Sequence, residues 1–284
     1  MVFGDHQGLE TKDEAVDLDR YCARVGYDGP REPSLDVLRA LHERHAEAIP
    51  FENLNPLLGL PVPLDPEALE RKILGQGRGG WCFEQNWMFK RALEAFGFEV
   101  RGRAARVLWG APEGRIGARS HMVLEVPLEG RVYLADVGFG GVTLTGPIDF
   151  DSREPQATPH ERFRLDLSGE GDYALAVELE QWAPMYRFRR EEQLLPDYEV
   201  ASFHLCHHPD SFFRRDLVAA RAFPGGRFGL RNNALSIHRL GQPVERRLLT
   251  SPAELSVVLE RQLKLQLPNH PDLERTLERI AAAR

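Results

Sequence analysis

Arg78-Gly79-Gly80-Trp81-Cys82-Phe83-Glu84-Gln85-Asn86 joins two chain-breaking glycines to a thiol that opens an apolar-periodic segment. Phe83, Trp87, Leu93 and Phe96 recur at roughly helical spacing, which predicts a helix with Cys82 in its first turn. That turn carries backbone N–H groups without intrahelical partners and the positive end of the helix dipole, and both favour a thiolate over a thiol. A lone cysteine is more often a small buried apolar residue. The glycine lead-in, the helix start and the polar neighbours Glu84 and Asn86 make Cys82 a candidate nucleophile instead.

Such a nucleophile needs a base, and the base needs a group that orients it. His121 opens the run His-Met-Val-Leu-Glu-Val, and Asp136 lies near the end of Arg-Val-Tyr-Leu-Ala-Asp-Val, with Pro127-Leu128-Glu129-Gly130 between them. This reads as a hairpin. With Glu129-Gly130 as a two-residue turn, Leu128 faces Arg131, Asp136 faces Val123 and His121 faces Gly138, so His121 and Asp136 become diagonal neighbours on one face. The carboxylate then fixes the imidazole tautomer and favours its charged form, leaving the other ring nitrogen to take a thiol proton. An odd loop length would put the two on opposite faces.

The chain has 284 residues, enough for two or three compact units around Cys82 and its partners. We expect an α+β protein in three parts: a helical bundle with the candidate nucleophile over 1–98, an antiparallel sheet or small barrel with His121 and Asp136 over 99–200, and a mixed α and β part over 201–284. In the first part Ser34 can cap a helix with Leu35, Leu38, Leu41 and His42 on one face, and Asp65-Pro66 starts another that stops at Gly75. From about Glu99 the pattern changes to short alternating runs: Val100 to Trp109, His121 to Val126, Arg131 to Val137, Arg162 to Leu167, Tyr173 to Gln181 and Met185 to Arg189. After about Val200 strand-like stretches at Arg227 to Leu230 and Ala234 to Leu240 precede a capping box at Ser251-Pro252-Ala253-Glu254.

Three cysteines, Cys22, Cys82 and Cys206, stand far apart with no C-x-x-C pair, which fits a reducing compartment, and we expect the cytoplasm. No stretch of about 18 apolar residues suggests a membrane span. A net charge of −7 argues against a dominant nucleic-acid binder; the local basic cluster Arg187-Phe188-Arg189-Arg190 reads as a solvated strand end ahead of its alternative, a contact for an anionic ligand.

Of four further motifs, three lead elsewhere on inspection and the glycine-rich turn at Gly138 stays open. Gly75-Gln76-Gly77-Arg78-Gly79-Gly80 matches G-x-G-x-x-G but follows a helix instead of the strand a dinucleotide fold requires. Gly138-Phe139-Gly140-Gly141 follows a strand, where it serves either a close ligand approach or a tight barrel corner. His204, Cys206, His207 and His208 lack a second ligand pair at a zinc-like distance, and neighbouring residues of a strand would point apart, so no metal is expected. His42-Glu43-Arg44-His45 is one residue short of H-E-x-x-H and reads as a helix face.

A helix-leading cysteine followed by a strand histidine and a strand aspartate is the arrangement of papain-like and transglutaminase-like thiol enzymes. Within that group, residues 78–86 resemble the active-site signature of the arylamine N-acetyltransferase family. Tyr21 with Arg24-Val25-Gly26-Tyr27, Pro50-Phe51-Glu52-Asn53-Leu54, Arg119-Ser120-His121-Met122 and Asp136-Val137-Gly138-Phe139-Gly140-Gly141 resemble it too, in the family order, with a looser echo at Gly226-Arg227-Phe228 and Asn232-Asn233. The resemblance implies Cys82 as the acetylated nucleophile, His121 as base and Asp136 as its orienter. It implies Phe51, Trp109, Ser120, Phe139 and Gly140 as the lining of the acceptor and acetyl-CoA cleft, and a three-part fold of helical bundle (1–98), antiparallel β-barrel (99–200) and α/β lid (201–284). Acetyl-CoA is then a co-substrate, with no tightly bound cofactor, and the acceptor an arylamine or arylhydrazine; no nucleic acid and no membrane is implied as a partner. The chain departs from the family pattern at Ala201-Ser202-Phe203-His204-Leu205-Cys206, where the family commonly has Asn in place of Ser202 and Ser or Thr just after it. A thiol amidohydrolase or amide synthase would use the same three residues, and a silent binding protein could retain the scaffold.

Overall fold

The computed structural model of the protein describes residues 15–112 and 114–283. The N-terminal part holds α1 (Leu18–Val25), α2 (Leu35–Ala48), the two-residue β1 (Phe51–Glu52), α3 (Leu54–Leu57), α4 (Pro66–Leu69), which widens into a π-helical turn over Glu70–Gly75, and α5 (Cys82–Ala95). Local chemistry accounts for the ends. The Asp17 carboxylate accepts from the Arg20 N–H at 3.0 Å, Ser34 Oγ from Val37, and Asp65 from Ala68 at 2.9 Å, with Pro66 at the first helical position. Gly26, at φ 70°, ends α1 in the left-handed region.

Eight antiparallel strands follow: β2 (Arg101–Val107), β3 (Arg119–Leu128), β4 (Arg131–Ala135), β5 (Ile148–Asp149), β6 (Gln156–Ala157), β7 (Arg162–Leu167), β8 (Tyr173–Glu178) and β9 (Trp182–Glu192). They pair in the order β5-β4-β3-β2-β9-β8-β7-β6. The seam between the two end strands is bridged by one side chain, because Gln156 donates to the Asp149 carbonyl at 2.9 Å and accepts from its N–H at 2.7 Å. Glu129 and Gly130 both take positive φ, 52° and 75°, the geometry of a tight hairpin turn, and Leu128 pairs with Arg131.

The C-terminal part comprises α6 (Leu195–His207), β10 (Val218–Phe223), β11 (Gly226–Arg231), β12 (Ala234–Arg239), β13 (Glu245–Leu248), α7 (Pro252–Val257) with a π-helical continuation to Gln262, and α8 (Leu273–Ala281). Its sheet runs β1-β10-β11-β12-β13, so Phe51 and Glu52 of the N-terminal part form its edge. The fold class is therefore the expected α+β arrangement. One element differs: the segment around Ser202 and His204 is helical. Pro196 in the first turn and the Asp197 carboxylate, which accepts from the Leu194 N–H at 2.9 Å, start that helix. The capping at Ser251 also differs in detail, since Ser251 accepts from Glu254 while Glu254 reaches back to the Thr250 N–H.

Three cores form. One unites the helices with Met122, Leu124 and Val126 on the outer face of β3, a second fills the barrel around Val123, Phe163 and Tyr186, and a third lies between the C-terminal sheet and α7–α8. The alternation along β3 thus docks the barrel on α5 with one face while His121 and Val123 keep the other. No helix among the described residues is long and apolar enough to cross a membrane.

Candidate active site

Cys82 is the first residue of α5, buried, and its Sγ lies 3.6 Å from the Ser120 carbonyl oxygen. The helix start is built from its own third residue, because the Glu84 carboxylate accepts from the Trp81 N–H at 3.1 Å. The glycines before it serve close packing. A Cβ on Gly79 would lie 1.9 Å from the Pro50 carbonyl oxygen, and one on Gly80 would press on Glu84. Gln85 holds the same turn by donating to the carbonyls of Pro50 at 2.7 Å and Gly80 at 3.3 Å.

His121 and Asp136 meet on the barrel. The His121 Nε2–H donates to Asp136 Oδ2 at 2.7 Å, both residues buried, which leaves Nδ1 as the nitrogen available to Cys82. Burial opposes the imidazolium, yet Asp136 and the Cys82 sulfur outweigh it and push His121 up to about 10. Burial likewise opposes the Asp136 carboxylate, and His121, Asn86 and the Gly138 N–H hold it below the usual range nonetheless.

Asn86, one turn after Cys82, ties the three together. Its amide donates to Asp136 Oδ1 at 2.9 Å and to the Met122 carbonyl at 2.7 Å, and its Oδ1 accepts from the Val137 N–H at 3.0 Å. His42, on α2, accepts the Asp136 backbone N–H on Nε2 at 3.1 Å; burial keeps this imidazole neutral, pushed down to about 3. Gly138 packs against the start of α5, where a Cβ would stand 2.8 Å from Cys82 Cα and 2.7 Å from the Asn86 amide nitrogen. The glycine-rich turn after β4 thus serves a close approach, but to the protein's own helix.

Aromatic rings wall the site. Phe139 lies 5.2 Å from the His121 ring, 5.5 Å from Tyr186 and 6.3 Å from Trp109, which is 42% exposed. Tyr186 is buried 5.0 Å from His121, and burial together with the nearby Asp136 carboxylate pushes its hydroxyl well above the ordinary phenol value. On the other side Gly140, at φ 91°, backs onto the Phe51 ring, which meets Phe213 at 6.3 Å. Ser120 takes part through its carbonyl. The sequence reading therefore named residues that converge, and it passed over Asn86, His42, Tyr186 and Phe213 as members. Only Asn86 carried a usable signal, its helical i, i+4 spacing from Cys82.

The discounted motifs show neither a dinucleotide fingerprint nor a zincin arrangement, although His42, Gly79 and Gly80 support the centre as described. His42 and His45 lie on one face of α2, and His45 links Tyr21 at 2.9 Å to Gln85 at 2.8 Å. His204 and His207 lie on α6, not on a strand. Arg190, read as part of a solvated strand end, instead pairs with the buried Glu125 at 2.6 Å.

A family model described as N-acetyltransferase matches residues 34–271. The arylamine N-acetyltransferase of Mycolicibacterium smegmatis is 40% identical over 252 residues, covering 87% of this chain and 91% of the relative. The Salmonella typhimurium protein named arylamine N-acetyltransferase / N-hydroxyarylamine O-acetyltransferase is 37% identical over 269 residues, 94% of this chain and 95% of its own. The solved structure of Mycobacterium marinum arylamine N-acetyltransferase in complex with CoA is similar at a TM-score of 0.89 and 36% identity, covering 93% of this chain and 99% of that one.

Proposed function

The chain belongs to the arylamine N-acetyltransferase family, and from that premise we propose that its acetyl transfer runs through a thioester on Cys82, in two half-reactions that share one cleft. The donor is acetyl-CoA, in keeping with the CoA complex of the Mycobacterium marinum relative. In the first half-reaction the Cys82 thiolate attacks the acetyl carbonyl carbon and a new C–S bond forms. The tetrahedral oxyanion is met by the Cys82 backbone N–H, free at the helix start. As the intermediate collapses, the bond to the CoA sulfur breaks, and His121 protonates the departing thiolate. Exchange of one thioester for another is nearly thermoneutral, which is why cysteine suits this donor.

In the second half-reaction an amine nitrogen attacks the acetyl-Cys82 carbonyl, His121 takes the amine proton, and the C–S bond breaks to release the amide and restore the thiolate. Asp136 keeps the imidazole in the tautomer with Nε2–H and steadies its positive charge. Phe51, Phe139 and Trp109 present apolar surface, which suits arylamines and arylhydrazines because they are uncharged at neutral pH; an alkyl ammonium ion would lose its hydration on entry.

The observation that carries this reading is the buried His121–Asp136 pair at 2.7 Å beside a helix-starting cysteine. Initial rates with acetyl-CoA and an arylamine varied together test it. Parallel double-reciprocal lines are expected. Converging lines would contradict the covalent route, and continuous CoA release into water without an amine would favour the thiol amidohydrolase reading.

A further inference from the structure

We propose that three arginines in a row across the outer face of the barrel, Arg119, Arg106 and Arg187, bind the phosphate groups of the CoA donor. The proposal rests on the donor assignment above. Arg106 of β2 stands directly opposite Arg119 of β3 on one side and Arg187 of β9 on the other. Like charges directly opposite one another weaken a sheet. Here three are aligned on a chain whose net charge is −7.

Their own neighbours neutralise them incompletely. Arg119 has Glu191 at 2.8 Å, an exposed pair. Arg106 gives one hydrogen bond, at 2.5 Å, to the neutral Gly117 carbonyl. The Arg187 side chain makes no hydrogen bond or ion pair among the described residues, and the nearby Asp172 is engaged by Arg189 at 2.9 Å. A planar guanidinium with unused donors matches phosphate oxygens in pairs.

The row also lies beside the catalytic centre. Arg106 follows Ala105, which pairs with His121; Arg187 follows Tyr186, whose ring faces His121; and Arg119 precedes His121 by two residues. Ala105 and Tyr186 are buried, so strand alternation sends Arg106 and Arg187 to the opposite face at the same end of the barrel, and the register shift between Ala105 and Arg106 sets Arg119 across from Arg106 there instead of alongside His121. Gly117, held by Arg106, belongs to the loop that carries Trp109 over Phe139. The thiol and the phosphates of CoA occupy opposite ends of a long flexible arm, so a thioester at Cys82 needs its phosphates bound outside the cleft, beyond this rim.

The test compares Arg106→Gln, Arg187→Gln and the double variant with the wild type, using one arylamine and two donors, acetyl-CoA and the phosphate-free thioester S-acetyl-N-acetylcysteamine. The ratio of kcat/KM for acetyl-CoA to that for the short donor is expected to fall about tenfold per arginine, chiefly through KM for acetyl-CoA. The thermal shift produced by added CoA should shrink, while the free variants melt at or above the wild-type temperature because a like-charge contact is gone. An unchanged donor ratio, whether both rates hold or both fall together, would overturn the arginine assignment and leave the thioester route standing. A wild type inactive with both donors would overturn that route and this proposal with it.

Discussion

Glu52 and Asp136 are both fully buried carboxylates, but their counter-charges differ in kind. Glu52 faces two permanent cations, Arg78 at 2.7 Å and Lys72 at 3.6 Å, and accepts the Leu54 N–H at 2.6 Å. Among the described residues Asp136 faces one titratable cation, His121, and neutral donors that include the Asn86 amide and the Gly138 N–H, each at 2.9 Å. Burial works against both, and in both the partners hold the carboxyl below its usual range. A carboxylate matched by permanent charge can only fix geometry, here that of β1 and the turn leading into Cys82. One matched by an imidazole can follow a proton without moving.

The sharpest way to break this contrast is a pair of isosteric substitutions. Asp136→Asn is expected to lower kcat/KM on the order of 10³- to 10⁴-fold with a modest change in stability, because the imidazole loses its charge partner and its tautomer lock. Glu52→Gln is expected to destabilise the fold by about 3–5 kcal/mol, since the buried Arg78 loses its carboxylate while Lys72 keeps Glu84 at 2.7 Å, and the folded fraction keeps its activity. Urea denaturation beside steady-state kinetics separates the two. Equal loss of activity in both variants would erase the distinction.

The fold and the candidate site residues were legible where the determinants are local. The helix at Cys82 follows from apolar spacing over a few turns. The hairpin register follows from a two-residue turn and strand alternation, so His121 and Asp136 could be placed on one face. The members that escaped are those whose meaning is set by distant contacts. His42 lies 94 residues from the Asp136 N–H it accepts, and Phe213 joins Phe51 across the junction of the N-terminal part with the C-terminal sheet. β1 is two residues long, too short for any periodicity. Ser120 was legible as a position but not as a main-chain partner of the thiol. The stretch at Ser202 and His204 lacked strong alternation or helical spacing, and its helix is set by Pro196 and Asp197 upstream.

The pH dependence sharpens the comparison next. His121 is raised to about 10 from an ordinary value near 6.5, so its contribution to stability is complete below that ordinary value and is lost as pH rises through about 10. Asp136 is lowered, so its contribution is present above its ordinary value and is lost as pH falls through the depressed one. An imidazole carbon titration followed by NMR should show His121 protonated well above neutrality in the wild type and moved down toward the ordinary range in Asp136→Asn. A His121 titration near 6.5 in both proteins would refute the pairing.

The smallest effect is expected at His42. His42→Leu leaves the buried Asp136 N–H without its acceptor and should cost about 1–3 kcal/mol by denaturation, with His42→Gln recovering part of it. Equal loss in both variants would show that packing, and not the hydrogen bond, is what His42 supplies.

The central claim is that the proton-handling pair serves a covalent acetyl carrier. Mass spectrometry of the protein exposed to acetyl-CoA alone, with the modified peptide located, tests it directly. The account predicts one acetyl group on Cys82 that persists in water and is discharged as the N-acetyl product when an aromatic amine is added; an unmodified Cys82 in protein that still acetylates the amine would contradict it.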